Sequence, residues 1–205
     1  MPRLKKYKYE VIDLFCGIGG LSSGLKSRGF SVLAGYDLDQ TCRYAYETNN
    51  EAVFNYRDIK SVTGQEIAEQ YGKKSVKVLV GCAPCQPFSS YAFKNKKKDP
   101  NKYDLLYEFG RLIREVRPDI VAMENVTQIL RFEEKPVLND FLALLEELDY
   151  QYDVQQVYCP DYGIPQTRKR LVVVASRSGN IRLTSPTHNK ENYVKVRQTI
   201  GSLPA

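Results

Sequence analysis

The chain has 205 residues, enough for one large domain or one domain with a small appendage. Its formal net charge of +6 and pI near 9.0 lean toward polyanionic partners, and no stretch approaches the roughly 18 apolar residues of a membrane span. The 5 cysteines, odd in number and irregularly spaced, argue against a disulfide framework, and MPRLKKYKYE lacks an apolar signal core, so the expectation is a cytoplasmic protein with free thiols and no membrane partner.

The apolar run over 11–15 (VIDLF) predicts a strand entering a glycine turn at Gly17, Gly19 and Gly20. Residues 21–28 predict a helix stopped by Gly29, and 31–36 (SVLAGY) a second strand closing on Asp37 and Asp39. A helix suits 40–48, and a weaker one 67–71. Another buried-looking strand covers 76–81 (VKVLVG), followed by GCAPCQPFSS. The polar, lysine-rich stretch 93–103 reads as a mobile loop. Leu105, Leu106, Phe109, Leu112, Ile113 and Val116 recur at helical spacing up to Pro118, and 120–123 then predicts a strand ending at Glu124. An amphipathic helix over 137–148 precedes strands at 152–158 and 171–175, with the turn DYGIPQ and the basic QTRKR between them. Beyond about Ser176 the pattern dissolves into polar, turn-rich sequence. Strands alternating with helices predict the α/β class, a mostly parallel, doubly wound sheet with helices on both faces.

In such sheets ligands bind beyond the carboxyl ends of the strands, and the unusual residues of this chain sit there. The glycines let the backbone approach a ligand closely, and Asp37 follows Gly17 by 20 residues, the spacing of an acid that accepts ribose hydroxyls. A tight turn with a surface aspartate accounts for the same residues. The nicotinamide pattern G-x-G-x-x-G fails, because Ser22 occupies the third glycine position.

Cys82 and Cys85 form a Cys-x-x-Cys, but a metal site lacks ligands: His188 is the one histidine, and no second Cys-x-x-Cys occurs. A redox pair normally opens a helix, whereas this pair sits among ligand-facing loops with Pro84 and Pro87 around Cys85. On these residues alone, two readings of Cys85 stand: a structural cysteine, and a nucleophile activated by cations such as Arg168 and Arg170. The lysines at 94, 96, 97 and 98 likewise read as a solvated loop or as a polyanion contact.

Taken together and in order, DLFCGIGG (13–20), APCQPFS (83–89), MENV (123–126), DYGIPQTRKR (161–170) and VRQTIGSLP resemble the DNA (cytosine-5)-methyltransferases. The resemblance implies a Rossmann-like S-adenosylmethionine-dependent methyltransferase fold and methyl transfer to C5 of cytosine in double-stranded DNA, as in bacterial restriction-modification enzymes. It implies Cys85 as the nucleophile that adds to C6 of a flipped base, Glu124 as the acid that hydrogen-bonds N3 and the exocyclic amine, and Arg168 as the arginine that helps hold base and pocket. Phe15, Gly17, Ile18, Gly19 and Gly20 match the cofactor loop. Asp37 matches the ribose acid, Leu38 the position packing on adenine, Asp58 and Ile59 the readers of the adenine edge, and Pro84 and Leu105 the rest of that pocket. Gln86, Ser89, Asn125, Gln166, Arg170 and the lysines Lys94, Lys96, Lys97 and Lys98 fall where the family meets DNA, the lysines on a loop that closes over it. S-adenosylhomocysteine is then the product, and no metal is expected.

The family's target-recognition region and its last Asn-containing motif have no counterpart here. The expected division is therefore a catalytic domain over 1–176, with 177–205 leading toward an absent recognition domain. A fragment, or one part of a split enzyme completed by a second polypeptide, is the expectation. Alternatives are a non-catalytic scaffold with a methyltransferase fold and an RNA (tRNA) cytosine-5 methyltransferase.

Overall fold

The computed structural model describes residues 8–84, 104–131 and 137–203. In chain order its main elements are β1 (Tyr9–Leu14), α1 (Gly20–Ser27), β2 (Ser31–Asp37), α2 (Arg43–Asn50), β3 (Val53–Tyr56), α3 (Gly64–Ala68) and β4 (Val76–Gly81). These are followed by α4 (Asp104–Val116), β5 (Ile120–Val126), α5 (Val137–Glu147), β6 (Gln151–Tyr158), β7 (Lys169–Ser176) and α6 (Val196–Ile200). The strands form one 7-stranded sheet in the order β3-β2-β1-β4-β5-β7-β6. The pairings from β3 through β5 are parallel, and β7 runs antiparallel between β5 and β6.

Because successive side chains on a strand point to opposite faces, each central strand feeds two cores. On one face Val11, Val78 and Val80 pack with Leu21 and Leu25 of α1 and with Ile120 and Ala122. On the other, Ile12, Leu14, Leu79, Val121 and Met123 pack beneath Phe109, Leu112 and Ile113 of α4 and Phe141 and Leu145 of α5. This two-sided burial explains why VIDLF and VKVLVG read as unbroken apolar runs, and it makes the sheet doubly wound as expected.

The differences from the sequence reading have local causes. β3 is only VFNY, paired on one side alone to β2, too short for its alternation to register. α3 starts earlier than its apolar residues suggest, because Thr63 and Glu66 form a capping box around its first turn. β5 continues past Met123 through Val126, since antiparallel β7 pairs with it as far as Val126↔Arg170. Lys169 and Arg170 consequently lie inside β7 rather than in the preceding turn. The predicted loop at 93–103 lies outside the described residues.

The stretch after β7 is tied back to the domain. Arg177 donates to the carbonyls of Arg117 and Pro118, and Leu183 donates its amide to Asp153. The Thr187 and His188 amides donate to the Asp161 carbonyl, and the Tyr193 hydroxyl donates to Asp161 Oδ1 at 2.5 Å. Among the described residues no helix is long and apolar enough to cross a membrane.

Candidate active site at the strand ends

Alternation along the strands that buries Val11, Val80 and Ala122 on one face brings Asp13, Cys82 and Glu124 to that same face, one step nearer the carboxyl ends. Gly81 pairs with Met123, so Cys82 and Glu124 are the next neighbours across the β4–β5 ladder, and the Cys82 amide continues the β1 pairing by donating to the Leu14 carbonyl at 3.3 Å. From β7, Arg170 joins the row, with Nε 2.7 Å from Glu124 Oε1. Its N–H is not aligned for a hydrogen bond, so the contact is a charge pair rather than a directed one. Arg168 Nη2 stands farther off, 3.8 Å from the same oxygen.

The row has distinct electrostatics. Burial pushes the Asp13 carboxyl up to about 7, against hydrogen bonding from Ser22. Ser22 Oγ donates to Asp13 Oδ2 at 2.7 Å and lies 3.1 Å from the Tyr46 hydroxyl, while Asp13 Oδ1 has no hydrogen-bond partner among the described residues. Burial also pushes the Cys82 thiol up, and the charges of Glu124 and Asp13 push it further. Among the described residues no cluster of three or more His, Cys, Asp or Glu could hold a metal ion.

Asn125 lies on the opposite face, 3 % exposed. Its Nδ2 donates to the Ala83 carbonyl at 3.2 Å and its Oδ1 accepts the Val126 amide at 2.8 Å. Both ends of the amide are engaged internally, tethering the backbone just before Pro84 to β5. Beside Glu124 and its arginines opens a groove of about 720 Å³, lined by Thr127, Gln128, Tyr158, Gln166, Arg168 and Arg170 among others, with no acid among its described lining residues.

The glycine turn faces a second open space. Phe15 leaves β1 with φ 59, a conformation costly for a bulky side chain, and Gly17 and Gly19 follow at φ 50 and 87. A methyl group at Gly19 would stand 2.1 Å from Asn50 Nδ2, so packing from below demands glycine there, whereas at Gly17 and Gly20 it would meet nothing within 4 Å. Asp37 Oδ2 accepts the Gly17 amide, which joins the ends of β1 and β2. Ile18 and Leu38, on those two strand ends, are 65 % and 63 % exposed. Open space above glycines, two uncovered apolar side chains and an anchored carboxylate fit a nucleoside cofactor. Asp58 is exposed and accepts the Lys60 amide, and Leu105 is partly buried on α4. The Ile59 side chain is buried in the core, which leaves its backbone to face a cofactor.

Cys85, Gln86, Ser89, Lys94, Lys96, Lys97 and Lys98 lie outside the described residues. Pro84, at the edge of what is described, is exposed. One participant escaped the sequence reading. Asp13 is a charged residue inside an apolar strand run, a signal that was there to read. Cys82 sits at the end of β4, the strand-end place its sequence position implies.

A family model for the C-5 cytosine-specific DNA methylases matches residues 9–205. The chain belongs to that family. The type II methylase M.HgiDII of Herpetosiphon aurantiacus is 51 % identical over 193 residues, covering 94 % of this chain and 54 % of that protein. The type II methyltransferase M.AquIA of Picosynechococcus is 29 % identical over 204 residues, covering 94 % of this chain and 82 % of that one. A solved E. coli prophage protein, described as a DNA modification methyltransferase, superposes with a TM-score of 0.79 at 26 % identity, covering 96 % of this chain and 56 % of its own. The chain spans about half the length of the first curated relatives it matches. The family's Rossmann-like methyltransferase fold agrees with the observed sheet.

Proposed function

We propose that the chain transfers a methyl group from S-adenosylmethionine to C5 of cytosine in double-stranded DNA, through a covalent bond between Cys85 and C6 of a base swung out of the duplex. The observation that supports this most is the Glu124–Arg170 charge pair at the end of β5, next to the Ala83 carbonyl that Asn125 tethers on the way to Cys85.

Cytosine C5 is a poor nucleophile until C6 carries a bond to another atom. Cys85 supplies that bond as a thiolate, favoured by the cations of Arg168 and Arg170. Glu124 hydrogen-bonds N3 and the exocyclic amine, stabilising charge on the ring as sulfur adds and leaving C5 an enamine carbon. Phe15, the glycine turn, Ile18, Asp37, Leu38 and Asp58 would hold the cofactor, with the Ile59 backbone, Pro84 and Leu105 completing its adenine end. Bound there, S-adenosylmethionine supplies a methyl cation equivalent and departs as S-adenosylhomocysteine. Loss of the C5 proton then expels Cys85 and restores the ring. Gln166 and Arg168 in the groove, with Gln86, Ser89 and the lysines at 94, 96, 97 and 98, serve the DNA strand, while Arg170 holds the charge of Glu124.

Reading the DNA sequence falls to a target-recognition region, reached through 177–205 and carried either farther along a longer polypeptide or by a second one.

The test is trapping. Supplied with a target-recognition polypeptide, S-adenosylmethionine and DNA carrying 5-fluorocytosine, the chain should form an adduct that survives denaturing electrophoresis, and Cys85→Ser should not. No adduct and no methyl transfer from the complete mixture would end this reading.

A further inference from the structure

The loop between β6 and β7 carries Gln166 and Arg168 and is closed at its foot, where the Cys159 amide donates to the Arg168 carbonyl at 2.9 Å. Its first half is a tight turn: Gly163, at φ 77, donates to the Pro160 carbonyl, and Ile164 to that of Cys159. Its second half has short-range bonds alone, from the Gln166 amide to the Ile164 carbonyl and from the Arg168 amide to the Gln166 carbonyl. Among the described residues, the loop's hydrogen bonds to other parts of the chain all run to 184–193, a strap after β7 with neither helix nor strand. Asp161 is the centre of that contact. Its carbonyl accepts the Thr187 and His188 amides, both at 2.9 Å, and its Oδ1 accepts the Tyr193 hydroxyl at 2.5 Å. Between these donors the chain is turned by two side chains: Asn192 Oδ1 accepts the Asn189 amide, and Asn189 Oδ1 accepts the Glu191 amide. The Tyr162 hydroxyl donates to the Thr184 carbonyl, and a methyl group at Gly163 would stand 2.8 Å from Cε1 of the His188 ring. Holding an irregular polar stretch in one path costs conformational entropy, and over 184–193 the offsetting contacts fall on the turn that precedes Gln166.

We propose that Asp161 is a positioning residue for Arg168: by taking three hydrogen bonds from the strap it fixes the turn 160–164 and so sets the direction from which Arg168 enters the groove beside Glu124. This rests on the methyl-transfer reading above, in which Arg168 meets the DNA strand. Asp161 and Tyr193 act through Arg168 and take no part in making or breaking bonds. The backbone bonds from Thr187 and His188 survive any side-chain change, so the Tyr193–Asp161 bond, a phenol on a charged acceptor, is the part that substitution can probe. Without it the turn swings about its foot at Cys159 and Arg168, and the loss falls on DNA affinity rather than on turnover.

A double-mutant cycle tests the role. In methyl transfer with a target-recognition polypeptide supplied, Tyr193→Phe removes one hydroxyl and should raise KM for DNA about fivefold with kcat little changed. In a chain already carrying Arg168→Ala the same substitution should leave KM where it is, because the group it positions is gone. Asp161→Ala should match Tyr193→Phe, and Asp161→Asn, whose Oδ1 still accepts the hydroxyl, should recover most of the loss. Urea midpoints should fall equally on Tyr193→Phe in both backgrounds, so a general loss of stability would move both KM values alike. Equal fold-changes in KM in the two backgrounds, or no change in KM on Tyr193→Phe, overturn the positioning role while methyl transfer stands. A wild type that gives no transfer overturns the functional reading and this role with it.

Discussion

Asp37 Oδ2 accepts the Gly17 amide at 2.8 Å while its Oδ1 accepts the Asp39 amide at 2.9 Å, so one carboxylate ties the turn after β1 to the turn after β2. The same group is the proposed ribose acceptor, and its lone pairs beyond these two bonds remain for ligand hydroxyls. Asp37→Ala should therefore weaken S-adenosylhomocysteine binding by roughly 10–100-fold, the range for hydrogen bonds to a charged group. Isothermal titration of wild type and variant reads this directly. Equal affinities would remove Asp37 from the cofactor site.

Gly19 and Gly20 separate packing from ligand space. At Gly19, with φ 87, a methyl group would lie 2.1 Å from Asn50 Nδ2 and 2.8 Å from Tyr46 Cδ2. Gly19→Ala should lose about 1–3 kcal/mol of stability in denaturant unfolding. Gly20 opens α1 with nothing within 4 Å of an added methyl group, so Gly20→Ala should leave stability unchanged or slightly raised while cofactor binding weakens. If Gly20→Ala binds cofactor as well as wild type, the space above it is not where the ligand lies.

The sheet was legible because its central strands are buried on both faces and so read as apolar runs ending in glycines, acids or Pro-Cys. The site was legible where those endings carry chemistry, as at Gly17, Asp37 and Glu124. What escaped was decided by cross-strand geometry. Asn125 and Glu124 are adjacent in sequence, yet the pleat sends one into the core and the other to the site. The order of Arg168 and Arg170 was hidden for the same reason, since pairing of Arg170 with Val126 brings it, rather than Arg168, closest to Glu124.

Asp13 gives stability a pH dependence of unusual sign. Its folded pKa, pushed up to about 7 by burial, lies above the ordinary value of 3.8, so the native state binds the extra proton between those limits. Its contribution is fully present below the unfolded pKa and is lost as pH rises toward 7, by at most about 1.4 kcal/mol per pH unit. Glu115 acts oppositely: burial raises its pKa, but hydrogen bonds from Arg111 and the Gly64 amide outweigh this and hold it below the ordinary value. Its contribution is lost as pH falls through the lowered folded value. Urea midpoints measured from pH 4 to 8 should decline from about pH 4 to about 7 and level off above it, and Asp13→Asn should flatten the decline. A wild-type profile already flat there would show that Asp13 is ionised in the folded chain.

Arg168 and Arg170 should separate by kinetic signature. Arg170, with 20 % of its side chain exposed, lies 2.7 Å from Glu124, whereas Arg168 is 45 % exposed and stands at 3.8 Å. Removing Arg170 leaves a half-covered carboxylate without its near cation, so Arg170→Ala should lower kcat by roughly 10–100-fold with little change in KM for DNA. Arg170→Lys keeps the charge but not the planar head, and should recover only part of that loss. Arg168, facing the acid-free groove, is better placed for a phosphate. Arg168→Ala should therefore raise KM more than it lowers kcat, and should reduce the slope of log affinity against log salt by about 1. The sequence resemblance assigns the catalytic part to Arg168. If Arg168→Ala carries the kcat loss and Arg170→Ala the salt effect, that assignment stands and the strand register is a poor guide to this site.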